Sequence, residues 1–183
     1  MSATCSPPSP TIGASSFDTA SEAPVRAGID IDIPDFRHLQ LEHLVLDFNG
    51  TLAQDGLLLP GVASRLRQLA EHVQIHVVTA DTCGNAENEL RGLPVSLTLL
   101  PSESQIKAKR FYALRLGSDK VAAIGNGRND LQLLATASLG ILVLQREGAF
   151  GGCFASAAVV TTSVLDALDL LLNPRRLIAT LRG

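Results

Sequence analysis

Short apolar runs alternate with longer stretches of helical periodicity over most of the chain. The runs 74–80 (QIHVVTA), 120–127 (KVAAIGNG) and 139–144 (LGILVL) are rich in aliphatic residues, as buried strands are. The stretch 61–73 places apolar residues at helical intervals, which indicates an amphipathic helix, and a serine at the start and Gly117 at the end predict a helix over 102–117. Regular alternation of apolar strands with helices predicts an α/β fold, a three-layer α/β/α sandwich around a mostly parallel, Rossmann-like sheet.

The remaining segments continue this order. Further strands are predicted at 95–101 and 158–162, and further helices at 83–93, 129–138, 147–157 and 163–182, with a break before Pro174. Residues 29–33 alternate isoleucine with aspartate, which predicts an N-terminal β-hairpin or an edge strand leading into the first central strand, 44–47.

The first 27 residues differ from the rest in composition. They are rich in Ser, Thr, Ala and Pro, so they offer little apolar surface to offset the entropy lost on ordering. The sequence therefore predicts a disordered tail at 1–27 and one folded domain at 28–183.

Charge and cysteine content narrow the class of protein. The net charge of −3 lacks the basic footprint of nucleic-acid and membrane-surface binders. Three widely spaced cysteines predict no disulfide framework and favour a reducing, cytoplasmic compartment. No apolar run approaches the roughly 20 residues that span a bilayer, and no signal peptide is evident.

Polar side chains follow three of the predicted strands. Asp47 ends the first central strand, Thr79 the second, and Asn126, Asn129 and Asp130 follow the strand at 120–127. Because ligands of such sheets bind beyond the carboxyl ends of the strands, we expect these side chains to share one site.

The residue types at this edge suit phosphoryl transfer. A carboxylate such as Asp47 can attack phosphorus and form an aspartyl-phosphate. Thr79 can supply a hydroxyl, Lys107 or Lys109 a cation, and Asp47 with Asp130 can hold Mg²⁺. The residues alone do not separate the two lysines.

Four segments in order resemble the motifs of the haloacid dehalogenase-like (HAD) superfamily. They are DFNGT (47–51), VVTAD (77–81), the helical lysine at 107 or 109, and GNGRND (125–130). The resemblance covers the chain from about residue 29 onward. Within the superfamily, the resemblance is strongest to soluble relatives of the P-type ATPase phosphorylation domain. These share Asp-x-x-Gly-Thr and Thr-x-Asp, here Thr79 and Asp81, and the ending LLLNPRRLIATLR adds to the resemblance.

This resemblance implies a role for each motif position in the nucleophile loop. Asp47 would be the nucleophile, the backbone carbonyl of Asn49 would bind Mg²⁺, and Thr51 would brace the loop. Gly50 and Ala80 would bind the phosphoryl group of the substrate with Thr51.

The other motifs would surround that loop. Thr79 would bond phosphoryl oxygens, and Lys109, preferred over Lys107, would neutralise Asp47 and the phosphate. Asp130 would orient the metal and its waters, and Asn126 stands at a further metal position.

Two residues depart from the HAD phosphatase pattern. Asn49 stands where those enzymes have an aspartate that protonates the leaving group and activates water. General acid–base catalysis typically contributes about 10²–10⁴-fold, so we expect slow hydrolysis. Asn126 also replaces a usual aspartate, which removes one negative charge from the Mg²⁺ site.

The spacing between motifs leaves no room for a cap domain. About a dozen residues separate Thr51 from the next helix and a dozen more follow Thr79, enough for a flap and a short helix. An uncapped site favours a phosphorylated small molecule or macromolecule as substrate, or a homo-oligomer in which a second subunit completes the site.

Three other interpretations are weighed against this one. A dinucleotide fingerprint is disfavoured because Asp130 replaces the third glycine of GNGRND. A response-regulator receiver is disfavoured because the first loop lacks an adjacent acidic pair. A non-catalytic phosphate-binding, regulatory or oligomerisation module on the same fold remains an alternative, since Asn49 and Asn126 are both amides.

Overall fold

The structure is a computed structural model that describes residues 26–80, 84–101 and 103–183. Most of the predicted tail, together with Asp81 of the second motif, lies outside the described residues.

A six-stranded parallel sheet forms the centre of the described fold, in the order β10-β9-β8-β3-β6-β7. Its strands are β3 (His43–Leu46), β6 (Gln74–Thr79), β7 (Ser96–Leu99), β8 (Val121–Gly125), β9 (Leu139–Val143) and β10 (Val159–Thr161). Strands β8 and β9 are buried along their whole length, as expected of a sheet covered on both faces. The prediction of a mostly parallel Rossmann-like sheet is confirmed.

Helices cover both faces of this sheet. They are α1 (Val62–Leu69), α2 (Ala86–Glu89), α3 (Gln105–Leu116), α4 (Leu131–Thr136), α5 (Val164–Leu172) and α6 (Pro174–Leu181). Helices α1, α5 and α6 bury their apolar residues in one core, and α3 and α4 pack over a second core on the opposite face. The three-layer architecture is therefore confirmed.

The N-terminal alternation forms a separate antiparallel hairpin, as predicted. Strand β1 (Ile29–Ile33) pairs with β2 (Arg37–Leu41), outside the six-stranded sheet. The isoleucines of β1 are buried and its aspartates are exposed, so the alternation reflects one buried face. This hairpin adds its apolar side to the core beneath α1, α5 and α6.

Two predicted helices are shorter in the structure. The stretch 147–157 contains a 3₁₀ helix at Gly151–Ala155, preceded by an irregular loop. Three glycines within this stretch lower its helical propensity by roughly 1 kcal/mol each relative to alanine. The helix predicted at 83–93 is confined to Ala86–Glu89, within the described part of that segment.

The segment after the first motif forms a small flap. Strands β4 (Ala53–Gln54) and β5 (Leu57–Leu58) make an antiparallel hairpin whose turn residues, Asp55 and Gly56, have φ of 51° and 78°. Two positive φ values with an Asp-Gly pair are typical of a tight hairpin turn. Residues 52–60 thus hold a flap and no cap domain.

Within residues 26–80, 84–101 and 103–183, no helix is long and apolar enough to cross a bilayer.

Candidate active site

The nucleophile loop, residues 47–53, leaves the sheet at the carboxyl end of β3. The backbone N–H of Asp47 donates to the carbonyl of Ile124 at 3.1 Å, which ties the start of the loop to β8. Gly50 has φ of +74°, and a Cβ there would lie 2.4 Å from Asn126 Nδ2. Glycine is therefore required by both the backbone conformation and the close approach of Asn126.

A buried lysine lies between two buried carboxylates at this edge of the sheet. Lys109 Nζ is 2.5 Å from Asp47 Oδ1 and 2.6 Å from Asp130 Oδ1. The lysine and Asp130 are fully buried, and Asp47 is 5% exposed. Helix α3 thus brings its cation to the strand ends, as the motif order predicts.

The charges of this trio shift the pKa values of its members. Burial, and then the nearby charge of Asp130, raise the pKa of Asp47 to about 7, although Lys109 and the Phe48 N–H act in the opposite direction. Burial alone would lower the pKa of Lys109, but the two carboxylates outweigh it and raise that pKa. One cation cannot balance two carboxylates, and Asp47 is the carboxyl group whose ionisation is disfavoured as a result.

Asp130 is held by the loop that follows β8. Its Oδ2 accepts hydrogen bonds from the backbone N–H groups of Asn126 at 3.1 Å and Gly127 at 2.9 Å. A Cβ on Gly125 would lie 2.4 Å from Asp130 Cγ, so this glycine makes room for the carboxylate. Both oxygens of Asp130 are occupied, which suits it to fix Lys109 and the loop.

The side chain of Asn126 bridges two loops. Its Oδ1 accepts from the Thr51 hydroxyl at 3.1 Å, and its Nδ2 donates to the Gly148 carbonyl at 3.1 Å. The backbone carbonyl of Asn126 accepts from Phe150 N–H at 2.8 Å. An amide is needed here because a carboxylate cannot donate to Gly148.

The remaining predicted site residues occupy different positions. Thr79 is buried at the end of β6, beside β3, and Ala80 follows it half-buried. Asn49 is half-buried in the nucleophile loop. Lys107 is exposed, whereas Lys109 contacts Asp47, so the structure puts Lys109, not Lys107, at Asp47.

The oxygen donors at this edge fit Mg²⁺ in part. Mg²⁺ is usually bound by one or two carboxylates together with waters and substrate phosphate. Asp47 supplies a carboxylate, Asn126 Oδ1 a neutral oxygen, and the Asn49 carbonyl a further one. Within the described residues, no group of three or more His, Cys, Asp and Glu side chains could hold a metal ion. A Mg²⁺ site here would therefore rest on few charged ligands.

Sequence reasoning missed a second loop that contacts the site. The clamp loop, residues 145–150, follows β9. Gln145 Nε2 donates to the carbonyls of Gly50 at 3.1 Å and Thr51 at 2.9 Å, and Glu147 Oε1 accepts from Asp55 N–H of the flap at 3.0 Å. The sequence predicted a helix over 147–157 instead of this loop. The contacts are made to backbone groups, so no residue pattern in the sequence indicates them.

The described residues have a HAD-like fold. The structure is similar to a protein of Legionella pneumophila described as a HAD superfamily (subfamily III A) hydrolase, with a TM-score of 0.62 and 19% identity, covering 76% of this chain and 86% of the other. The predicted HAD-like fold is confirmed by such similarities.

Two phosphatases of solved structure show the same fold. The 3-deoxy-D-manno-octulosonate 8-phosphate phosphatase of Moraxella catarrhalis, in complex with magnesium, phosphate and KDO, has a TM-score of 0.59 and 18% identity over 76% of this chain and 92% of its own. The cobalt-bound phosphatase of this type from Haemophilus influenzae has a TM-score of 0.60 and 15% identity over 74% and 90%.

The chain belongs to the same family as uncharacterized protein MJ0073 of Methanocaldococcus jannaschii, with 52% identity over 63 residues, 34% of this chain and 68% of that protein. Uncharacterized protein MJ0072 of the same organism is 46% identical over 39 residues, 21% of this chain and 89% of its own length. No family model matches the chain.

Proposed function

We propose that this protein is a HAD-type phosphohydrolase or phosphotransferase that forms an aspartyl-phosphate on Asp47 and releases it slowly. The observation that carries the proposal is the contact of Lys109 Nζ with both Asp47 and Asp130 at the carboxyl edge of the sheet. Simple phosphate binding requires no carboxyl group beside a buried cation, and here Lys109 contacts Asp47, whose pKa is raised to about 7. The HAD-like phosphatases of similar fold support the same class of reaction.

The first step is an in-line displacement at phosphorus. A carboxylate oxygen of Asp47 forms the new O–P bond while the bond from phosphorus to the leaving-group oxygen breaks, and that oxygen keeps the electron pair. Lys109 stays protonated and offsets the negative charge of the phosphoryl group. Thr79, buried at the end of β6, would bond a phosphoryl oxygen.

Mg²⁺, when bound, would supply positive charge to the phosphoryl oxygens. Its protein ligands would be the Asp47 carboxylate, the Asn49 carbonyl and Asn126 Oδ1. Asp130 would act through Lys109 and the Asn126 and Gly127 amides, which already occupy both of its oxygens.

The second step is attack of water on the aspartyl-phosphate. One O–H proton of that water passes to solvent, the O–P bond to Asp47 breaks, and inorganic phosphate leaves. Asn49 can neither protonate the first leaving group nor take a proton from this water. Acyl and aryl phosphates, whose leaving groups need no proton, are therefore the favoured test substrates.

The open site bears on the natural substrate. The flap is a single hairpin, so a phosphorylated small molecule or macromolecule can reach Asp47, or a second subunit can complete the site. The similarity of the motifs to P-type ATPase phosphorylation domains fits a longer-lived aspartyl-phosphate. A cytoplasmic location, predicted from cysteine usage, is consistent with such substrates.

A direct assay tests the proposal. The full chain is incubated with Mg²⁺, Mn²⁺ or Co²⁺ and acetyl phosphate or p-nitrophenyl phosphate, with Asp47→Asn as the matched control. We expect phosphate release and a hydroxylamine-sensitive phosphoprotein in the wild type and neither in the variant. Equal rates in the two proteins across all metals would overturn the enzyme proposal.

A non-catalytic module is the second candidate, favoured by the amides at positions 49 and 126. It predicts that phosphate binds without turnover and that beryllofluoride binds to Asp47→Asn as weakly or as strongly as to the wild type. Calorimetric titration of both proteins with beryllofluoride separates the two candidates, because beryllium coordinates a carboxylate oxygen and the enzyme proposal requires that of Asp47.

A further inference from the structure

We infer that Gln145 is a positioning residue for the nucleophile loop: its side-chain amide fixes two peptide groups of that loop and thereby the direction of the Asn49 carbonyl. The inference rests on the proposed function and deepens it, since Gln145 lies outside all four motifs. It touches neither the phosphoryl group nor Asp47 and acts through the backbone between them.

Every polar group of the Gln145 amide is used. Its two Nε2 hydrogens go to the carbonyls of Gly50 and Thr51, at 3.1 and 2.9 Å, and its Oε1 accepts from Val164 N–H at 2.7 Å. A glutamine amide offers two donors and an acceptor, so all three are matched. A side chain that only filled space between a loop and a helix would need none of these bonds.

The two carbonyls flank Thr51, directly after the glycine of the loop. Gly50 has φ of +74°, a region that glycine enters without steric cost, so hydrogen bonds rather than steric limits hold the peptide group between Gly50 and Thr51. Within the loop its N–H makes one such bond, to the Phe48 carbonyl at 3.3 Å. Gln145 bonds to the carbonyls on both sides of Thr51. Since the carbonyl of Gly50 cannot rotate without losing this bond, the backbone that follows Asn49 is held.

Internal bonds then set the Asn49 carbonyl. Gly50 N–H donates to the Ala53 carbonyl at 2.9 Å, inside the turn. Because a trans peptide group is planar, the Asn49 carbonyl points the opposite way, out of the turn. This carbonyl is a proposed Mg²⁺ ligand, so a displacement of the Gly50 peptide group would also displace a ligand of the metal.

The other end of Gln145 is anchored on a regular element. Val164 begins α5, whose cap Ser163 accepts from Leu165 N–H at 3.1 Å, and α5 is packed into the core. The clamp loop also holds Asn126 through Gly148 and the flap through Glu147. Gln145 thus joins the nucleophile loop to α5, and the clamp loop to which it belongs also contacts the flap and the loop that follows β8.

The variant Gln145→Glu separates positioning from simple tethering. The introduced carboxylate still accepts from Val164 N–H, and negative charge is favourable at the start of α5. Its second oxygen, however, faces the Gly50 and Thr51 carbonyls and repels both. Gln145→Met, of similar length, loses all three bonds. A tether predicts that the Met variant is the more damaged, whereas positioning predicts that the Glu variant is at least as damaged.

The readouts are the affinity for Mg²⁺ with beryllofluoride, measured by calorimetry, and kcat/KM for acetyl phosphate. A displacement of ~1 Å at a reacting centre costs on the order of 10²-fold, so we expect Gln145→Glu to lower both by about 10- to 100-fold. The ratio of its activity to that of the wild type should rise as the pH falls from 8 to 5, because a protonated carboxyl can donate to one carbonyl. Gln68→Glu, on the exposed face of α1, is the matched control and should behave as the wild type.

Hydrogen exchange of the amides at 50–53 completes the test. Faster exchange in Gln145→Glu than in wild type is expected. Wild-type exchange and wild-type Mg²⁺ affinity in that variant would overturn the inference, as would a Met variant that is worse in both. If the wild type itself turns over no substrate, the proposed function fails, and the exchange rates still decide the role of Gln145.

Discussion

The side-chain amide of Asn126 donates a hydrogen bond to the Gly148 carbonyl across 3.1 Å, from the loop that follows β8 to the clamp loop. An aspartate at position 126, as the HAD phosphatase pattern has it, could not make this bond, so the amide contributes to the packing of the two loops. We expect Asn126→Asp to gain Mg²⁺ affinity through its added charge and to lose stability, because the Gly148 carbonyl is left without a donor.

The loss for that variant should be about 0.5–1.5 kcal/mol in the free energy of unfolding without metal, the net contribution of one hydrogen bond, because Gly148 is only half-buried. Urea unfolding without Mg²⁺ and calorimetric Mg²⁺ titration measure the two effects. Asn88→Asp is the matched control, because Asn88 is exposed on α2 and its side-chain oxygen only accepts from Arg91 at 2.8 Å, which a carboxylate also does. Unchanged stability of Asn126→Asp would contradict this account of the amide.

The sequence predicted the parts of the site that lie on regular elements. Asp47, Thr79 and the loop of Asn126 and Asp130 follow strands whose apolar runs are unambiguous, and parallel strands end at one edge. Lys109 and Lys107 could not be separated because both lie near the start of one helix. Only the packing of α3 shows which of them faces the sheet.

The clamp loop could not be predicted, for a different reason. Gln145 contacts residues 94 and 95 positions away through backbone carbonyls, which carry no residue-specific signal. A glycine-weakened helix over 147–157 is a fair expectation from local propensity. In the structure it is replaced by tertiary hydrogen bonds, in which Asn126 Nδ2 donates to the Gly148 carbonyl and Phe150 N–H donates to the Asn126 carbonyl.

Restoring the missing acid should accelerate turnover. Asn49→Asp places an ionisable group two residues after the nucleophile, where it can take a proton from the water that attacks the aspartyl-phosphate. The p-nitrophenolate leaving group needs no proton, so kcat for this substrate reports the second step. The expected gain in kcat for p-nitrophenyl phosphate is about 10²–10⁴-fold. Steady-state kinetics measure it, with Asn49→Ala as the control for lost amide contacts. An unchanged or lower rate would show that position 49 does not limit release.

The pH dependence of phosphoryl capture should move with Mg²⁺ concentration. Burial and the charge of Asp130 raise the pKa of Asp47 to about 7, and only the ionised carboxylate can attack phosphorus. Capture of acetyl phosphate at low Mg²⁺ should therefore rise with pH through about 7. Saturating Mg²⁺ favours the carboxylate and should shift this rise to lower pH. A midpoint independent of Mg²⁺ would contradict direct contact between Asp47 and the metal.

Removing one carboxylate should stabilise the protein, whereas removing the cation should destabilise it. The folded-state pKa of Asp47 is raised, so its contribution to stability is full near pH 4 and is lost as the pH rises towards 7. At pH 8 we expect Asp47→Asn to raise the free energy of unfolding by roughly 2 kcal/mol, or about 4–8 °C in Tm.

Lys109→Met leaves Asp47 and Asp130 without their shared cation and should cost about 3–5 kcal/mol. Lys107→Met on the exposed side of the same helix is the matched control and should change stability little. Thermal unfolding of the three variants at pH 8 without metal provides the comparison. Similar losses in the two lysine variants would contradict the charge balance assigned to this trio.

A buried histidine of β6 should set the acid limit of stability. His76 Nδ1 lies 3.0 Å from the Tyr112 hydroxyl, and its Nε2 lies 3.2 Å from His43 Nδ1. Burial, then the charges of His43 and Arg26, lower the pKa of His76 to about 4. Because the folded-state pKa is depressed, this stability is full above about pH 6.5 and is lost as the pH falls towards 4.

Asp47 titrates in the opposite sense over the same range, so the test is made in the Asp47→Asn background. Between pH 7.5 and 5 the free energy of unfolding should fall there by roughly 1–2 kcal/mol on account of His76. Adding His76→Phe should remove most of that slope, whatever its effect on absolute stability. Urea denaturation at the two pH values gives both slopes, and an equal fall with and without His76 would assign the acid limit to other groups.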